Sequence, residues 1–169
     1  MYKNNIYLAD KRKIGVMKRN ASLLFAFLLI STATFSQEKT EENDVKAAIN
    51  SLFDGMRNAD TVMIKKAFAT KNTMETIAPT KEGKFVVRAE NLSNFLKSVS
   101  APHPEKYDER IVFTKILIDT NLASVWTDYK FYVGDKFSHC GVNSFQLFKS
   151  EEGWKIIYLI DTRRKDKCN

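Results

Sequence analysis

Apolar residues at Val45, Ile49, Leu52, Phe53 and Met56 recur at steps of four, three, one and three, the spacing of a helix with one buried face. Asn58-Ala59-Asp60 interrupts the pattern, and Asp60 is suited to cap a short second helix carrying Met63, Ile64, Ala67 and Phe68. Residues 74–78 and 84–88 read as short strands around a turn punctuated by Pro79 and Gly83. A third helical piece, about Glu90 to Val99, aligns Leu92, Phe95, Leu96 and Val99 and stops before Ala101-Pro102-His103-Pro104, where two prolines favour an extended connection. Strands fill the rest. Arg110–Ile118 leads through Asp119-Thr120-Asn121 into a meander from Ala123 to Tyr158, dense in β-branched and aromatic residues, with turns at Gly134-Asp135 and Ser150-Glu151-Glu152-Gly153. Helices first and an antiparallel meander last predict an α+β domain with the helices packed on one face of a sheet.

The meander can be read to side-chain resolution. A two-residue loop at Glu151-Glu152 sets Leu147 opposite Ile156, Phe145 opposite Tyr158 and Asn143 opposite Ile160. His139, Gly141, Asn143, Phe145 and Leu147 then share the more apolar, helix-covered face with Ile156, Tyr158, Ile160 and Thr162. The same loop length at Gly134-Asp135 adds Trp126, Asp128 and Lys130 to that face. A polar group of Asp128, His139 and Asn143 results, walled by Trp126 and Tyr158. One bulge in either hairpin exchanges Asp128 for Tyr129, because a one-residue slip inverts every side chain. Asp161 and Arg163 are expected on the opposite face, as a salt bridge or a dimer contact, with Val142, Phe148, Ile157 and Leu159 exposed beside them.

Charge changes the picture less than its total suggests. The net charge of +7 is concentrated in residues 1–36, which carry +5, leaving +2 from Gln37 onward. A near-neutral domain offers no electrostatic case for nucleic acid. Lys18 and Arg19, then the apolar run Leu23–Ile30, then small residues up to Ser36, have the three-part build of a signal peptide, with Met17 as the expected initiator and cleavage near Gln37. The apolar run is short for a membrane span. The expected organisation is a leader over 1–36, a flexible lead-in over 37–43 and one domain over 44–169, exported to the periplasm or secreted with no stable membrane anchor after cleavage.

Export alters the reading of the cysteines. In an oxidising compartment Cys140 and Cys168 are a candidate disulfide. A buried thiol or a nucleophile are the other readings for Cys140, although His139, its chain neighbour, points to the opposite face of a strand and is poorly placed to activate it. The two histidines, His103 and His139, and the two cysteines lack C-x-x-C or H-x-x-x-H spacing, so no metal is expected, and nothing in the chain calls for a cofactor.

The order helix–helix–short strands–helix–meander, with Ser138-His139-Cys140-Gly141, Gly153-Trp154-Lys155-Ile156 and Asp161-Thr162-Arg163-Arg164, resembles the nuclear transport factor 2-like superfamily over about Asp44 to Cys168. Within it the chain looks most like exported bacterial proteins labelled lumazine-binding. The resemblance implies a cystatin-like cone: a curved, mostly antiparallel sheet wrapped around helices, with a pocket at its open end and dimerisation through the sheet. Enzymes of the superfamily, among them ketosteroid isomerase, scytalone dehydratase and polyketide cyclases, place carboxylates, tyrosines or an Asp-His pair in this pocket. None of their complete patterns can be traced here. The expected function is an exported small-ligand-binding or interaction domain, whose site comprises Trp126, Asp128, Tyr129, His139, Asn143 and Tyr158 around a small apolar molecule; the alternative is a cofactor-free isomerase, dehydratase or cyclase with Asp128 and His139 as the candidate acid-base pair.

Overall fold

The computed structural model describes residues 40–168; the expected leader, its start at Met17 and its cleavage near Gln37 lie outside them. Helix α1 covers 40–57, so residues 40–43, expected as flexible, are helical. The Lys46–Glu42 ion pair at 2.5 Å, one helical turn apart, supports the helix over this stretch. Val45, Ile49, Leu52, Phe53 and Met56 are all buried, as the periodicity requires. Asp60 caps α2 (Thr61–Ala67), its carboxylate accepting from the backbone N–H groups of Val62 and Met63. Gly55 lets the two helices meet closely, since a Cβ there would lie 2.7 Å from Ile64 Cγ1.

Strand β1 (Phe68–Pro79) begins directly at the end of α2 and is longer than the 74–78 run anticipated; β2 is Phe85–Glu90. Asn91 caps α3 (Leu92–Ser100). The strands β3 (Tyr107–Asp119), β4 (Leu122–Val133), β5 (Lys136–Ser150) and β6 (Gly153–Thr162) follow. The six strands form one curved sheet in the order β2-β1-β6-β5-β4-β3, antiparallel except for the β1–β6 pair. The concave face carries the core: α1 is seated against Ala123, Val125, Phe145, Leu147 and Ile156, with the Phe53 and Phe145 rings edge-on at 6.2 Å. Arg57, at the end of α1, donates to Asp108 on β3 at 2.7 Å.

Both predicted two-residue turns form, but each hairpin contains a bulge. Val133 pairs with Lys136 and Tyr132 with Phe137; Ser138 is then extra, and Phe131 pairs with His139, Tyr129 with Gly141 and Thr127 with Asn143. Likewise Ser150 pairs with Gly153 and Leu147 with Ile156; Ile157 is extra, and Phe145 pairs with Leu159 and Asn143 with Asp161. Everything beyond a bulge is one residue out of the simple register.

Candidate functional site

The slipped register decides which side chains enter the open end of the cone. His139 and Asn143 lie on the concave face as expected. Trp126, Asp128 and Tyr158 do not: beyond the bulges they belong to the convex face, where Trp126 is 48% exposed and Asp128 pairs across to Val142 and Val112. Tyr158 points the same way and donates to Glu75 at 2.5 Å. Thr127 and Tyr129 take the inward positions on β4, and Asp161 on β6 and Arg163 just beyond it take those opposite, reversing the face expected for the latter pair. Leu159, expected on the outer face, is buried in the core. The anticipated Asp128–His139 pair is therefore split across the sheet.

The structure gathers Glu109, Thr127, Tyr129, His139, Asn143, Asp161 and Arg163 instead. Asn143 donates through Nδ2 to Glu109 Oε1 at 2.8 Å and to Thr127 Oγ1 at 3.3 Å. The Tyr129 hydroxyl lies 2.9 Å from Asp161 Oδ2 and 2.9 Å from the Thr162 carbonyl, and its single hydrogen serves both acceptors. Arg163 Nε donates to the same Asp161 oxygen at 3.0 Å. The backbone holds this arrangement from two sides: Arg163 N–H donates to Ile77 of β1, while Arg164 and Cys140 exchange a pair of bonds at 2.9 Å. Gly141 makes the approach feasible, because a Cβ there would lie 1.7 Å from the Thr162 oxygen and 2.7 Å from the Tyr129 ring. A Cys140–Cys168 disulfide, with Cα atoms 5.8 Å apart, ties the tail to β5 at the same place.

These groups stand beside a cavity of about 100 Å³ walled by Leu52, Phe53, Met56, Met74, Phe95 and Leu159. That volume accommodates on the order of three waters. Thr76 Oγ1, on the cavity wall, is buried without a hydrogen-bond partner among the described residues. Burial pushes the Glu109 carboxyl up to about 7, with the Asp161 charge adding to the effect and Asn143 and Arg163 opposing it. Burial together with the Arg163 and Lys165 charges holds His139 below the usual imidazole range, against the pull of Asp161. Burial, then the charges of Asp161 and Glu109, raise the Tyr129 phenol far above its ordinary value. Near neutrality the site thus offers a phenol fixed as a donor, a neutral imidazole and one carboxyl, Glu109, balanced between its two forms. The His139 ring packs against Phe131 at 4.9 Å and edge-on to Tyr129 at 5.7 Å, with Nδ1 3.1 Å from Ser138 Oγ.

Glu109 was legible in the sequence, since Tyr107, Glu109, Ile111 and Phe113 alternate on one face of β3 and put a carboxylate into an apolar stripe. Asp161 and Arg163 carried no comparable signal, because their side of the sheet depends on the bulge at Ile157. A larger cleft of about 1070 Å³, bordered by Lys65, Lys66, Lys97 and Lys155, lies between α2, α3 and the β5–β6 turn and contains none of the titratable cluster.

Among solved structures, an NTF2-like protein of unknown function from Shewanella baltica superposes over 75% of this chain and 96% of its own, with a TM-score of 0.59 at 17% identity. The fold is the NTF2-like cone. A cystatin-like domain of unknown function from Nostoc punctiforme matches 76% of this chain and 80% of its own, with a TM-score of 0.56 at 15% identity. A candidate dehydratase of the NTF2-like family from Streptomyces avermitilis matches 75% of this chain and 97% of its own, with a TM-score of 0.53 at 13% identity. No protein-family model and no curated protein sequence matches the chain. At these identities the likeness concerns the NTF2-like fold alone.

Proposed function

We propose that this NTF2-like domain is exported and holds a small, largely apolar molecule at the open end of its cone. The observation that carries the reading is the cavity itself: apolar where Leu52, Phe53, Met56, Phe95 and Leu159 face it, and polar where Glu109, Asn143, Asp161 and Arg163 line it, with Thr76 and Glu90 at its β1–β2 side. A cavity of about 100 Å³ takes a compact apolar group, or the inserted end of a larger molecule, and orients it through its polar end. The signal-like leader supports export to the periplasm or secretion, and the Cys140–Cys168 disulfide fits an oxidising compartment. The likeness to exported proteins labelled lumazine-binding points the same way, without identifying the ligand. A second copy is proposed to cover the convex face, where Val112, Leu117, Trp126 and Phe148 are exposed.

One observation favours a second reading, a cofactor-free isomerase, dehydratase or cyclase. Glu109, poised near neutrality in the cavity wall, is suited to pass a proton to and from a bound molecule, and the Arg163 guanidinium in the same wall is suited to stabilise a developing oxyanion, while Tyr129 holds Asp161 in place. The candidate dehydratase from Streptomyces avermitilis shares the fold. Asp128 has no place in this reading, and His139 serves as a neutral neighbour.

Native mass spectrometry of protein purified from its own host tests the binding reading. A retained small molecule is expected, with occupancy reduced in Asn143→Ala and in Glu109→Gln. Unchanged retention in both variants refutes this assignment of the site.

A further inference from the structure

One edge of the sheet is bare. Among the described residues strand β2 is hydrogen-bonded only to β1, and all six of its residues are exposed, including Phe85 at 67% and Val87 at 58%. Natural edge strands are normally shielded by charged side chains, a bulge, a proline or a covering element. Among the described residues Phe85-Val86-Val87 has none of these, charge standing only on either side of it at Lys84 and Arg88. The backbone orientation is set at the start of the strand, where Thr80 N–H donates to the Lys84 carbonyl at 2.7 Å and so turns Lys84 toward β1. Alternation turns Val86, Arg88 and Glu90 the same way, leaving the N–H and C=O groups of Phe85, Val87 and Ala89 pointing outward.

We propose that β2 pairs antiparallel with β2 of a second copy of this chain, about a two-fold axis at Val87. In that register Val87 faces Val87, Phe85 faces Ala89 and Lys84 faces Glu90. Every outward-pointing backbone group meets another outward-pointing one, for about six ladder bonds. The side chains agree. Phe85, Val87 and Ala89 form a continuous apolar strip across the seam on the convex side. On the concave side each Lys84 ammonium meets a Glu90 carboxylate, and each Arg88 stem lies along Val86.

The neighbouring even registers are disfavoured. Sliding by two residues one way sets Lys84 against Arg88, and the other way sets Arg88 against itself, with like charges directly opposite. Odd slides place outward groups against inward ones. The contact is isologous and closed, so it forms a pair rather than a filament. Because Glu90 also lines the cavity near Glu109, Lys84 of the second copy stands at the rim of the ligand site.

A single short strand gives a small interface, so concentration-dependent association of about micromolar strength or weaker is expected. Sedimentation equilibrium of the Trp126→Asp protein, in which the convex-face contact proposed above is broken, tests it with three further variants in that background. Val87→Pro removes an N–H that β1 does not use and should weaken association by about tenfold or more with the thermal midpoint preserved. Lys84→Glu should weaken it in the same direction. Combining Lys84→Glu with Glu90→Lys should restore it, since the charges are exchanged but remain complementary. Association that is absent in the Trp126→Asp background, or indifferent there to all three further variants, overturns the proposal and leaves the convex-face contact standing. So does an edge that captures an unrelated extended peptide while the chain itself stays monomeric.

Discussion

The two halves of β5 follow the same alternation yet build opposite environments. At the closed end of the cone, Phe145 and Leu147 point inward to Leu159, Ile156, Val125 and Ala123, and all are buried. At the open end, Asn143, Gly141 and His139 point inward to Asp161, Thr127, Tyr129 and Phe131. Each bulge exchanges one parity of its strand for the other. At the apolar end this matters little, because Ile156 to Ile160 is apolar or aromatic at every position and either parity fills the core. At the polar end it replaces Asp128 by Tyr129 and brings Asp161 inward. A register shift is nearly silent where the sequence is uniformly apolar and decisive where it is mixed.

The largest effect should come from the closed end. Phe145→Ala removes a fully buried ring and its edge contact with Phe53, and should cost about 3–5 kcal/mol in urea unfolding. A loss below about 1 kcal/mol would show that this end is not the rigid half.

Next comes the pH response of the open end. Because burial raises the Glu109 carboxyl in the folded protein to about 7 from 4.5, its contribution is fully present below about pH 4.5 and is lost as pH rises through about 7. The total loss is about 3 kcal/mol as an upper value. Glu109→Gln should flatten the stability profile across that window, as read by denaturant titration at a series of pH values. An unchanged slope would mean the carboxyl is solvated in the folded state.

Gly141→Ala should cost about 1–3 kcal/mol by driving a methyl group into the Thr162 carbonyl and the Tyr129 ring. The disturbance should appear at the open end, as loss of hydrogen-exchange protection around Arg163 and Arg164 while α1 stays protected.

Tyr158→Phe should be the mildest. Its hydroxyl bonds Glu75 on the convex face, so stability should change by less than about 1 kcal/mol and ligand retention not at all. Loss of retention would return Tyr158 to the site from which the bulge at Ile157 removes it.

Much of the fold was legible without coordinates. The α1 stripe, the Asp60 cap and the α3 stripe rest on periodicity and local hydrogen bonding, which neighbouring residues settle among themselves. The two hairpin turns were legible for the same reason. Gly134 and Gly153 adopt the left-handed φ values of 59° and 95° that glycine reaches without strain. The helicity of residues 40–43 and the full length of β1 are not legible in the sequence because polar residues such as Glu41, Glu42 and Thr73 show no periodicity of their own.

Of the site, His139 and Asn143 follow from alternation along β5 alone, and the sequence by itself also determined that an α+β chain would set them on the helix-covered face. Tertiary structure decided which strands' residues meet them there. The extra residues Ser138 and Ile157 are accommodated only through cross-strand hydrogen bonds and the curvature of the assembled sheet, interactions between segments that no local pattern encodes. That single-residue geometry is why Tyr129, Asp161 and Arg163 line the cone while Asp128, Trp126 and Tyr158 face outward.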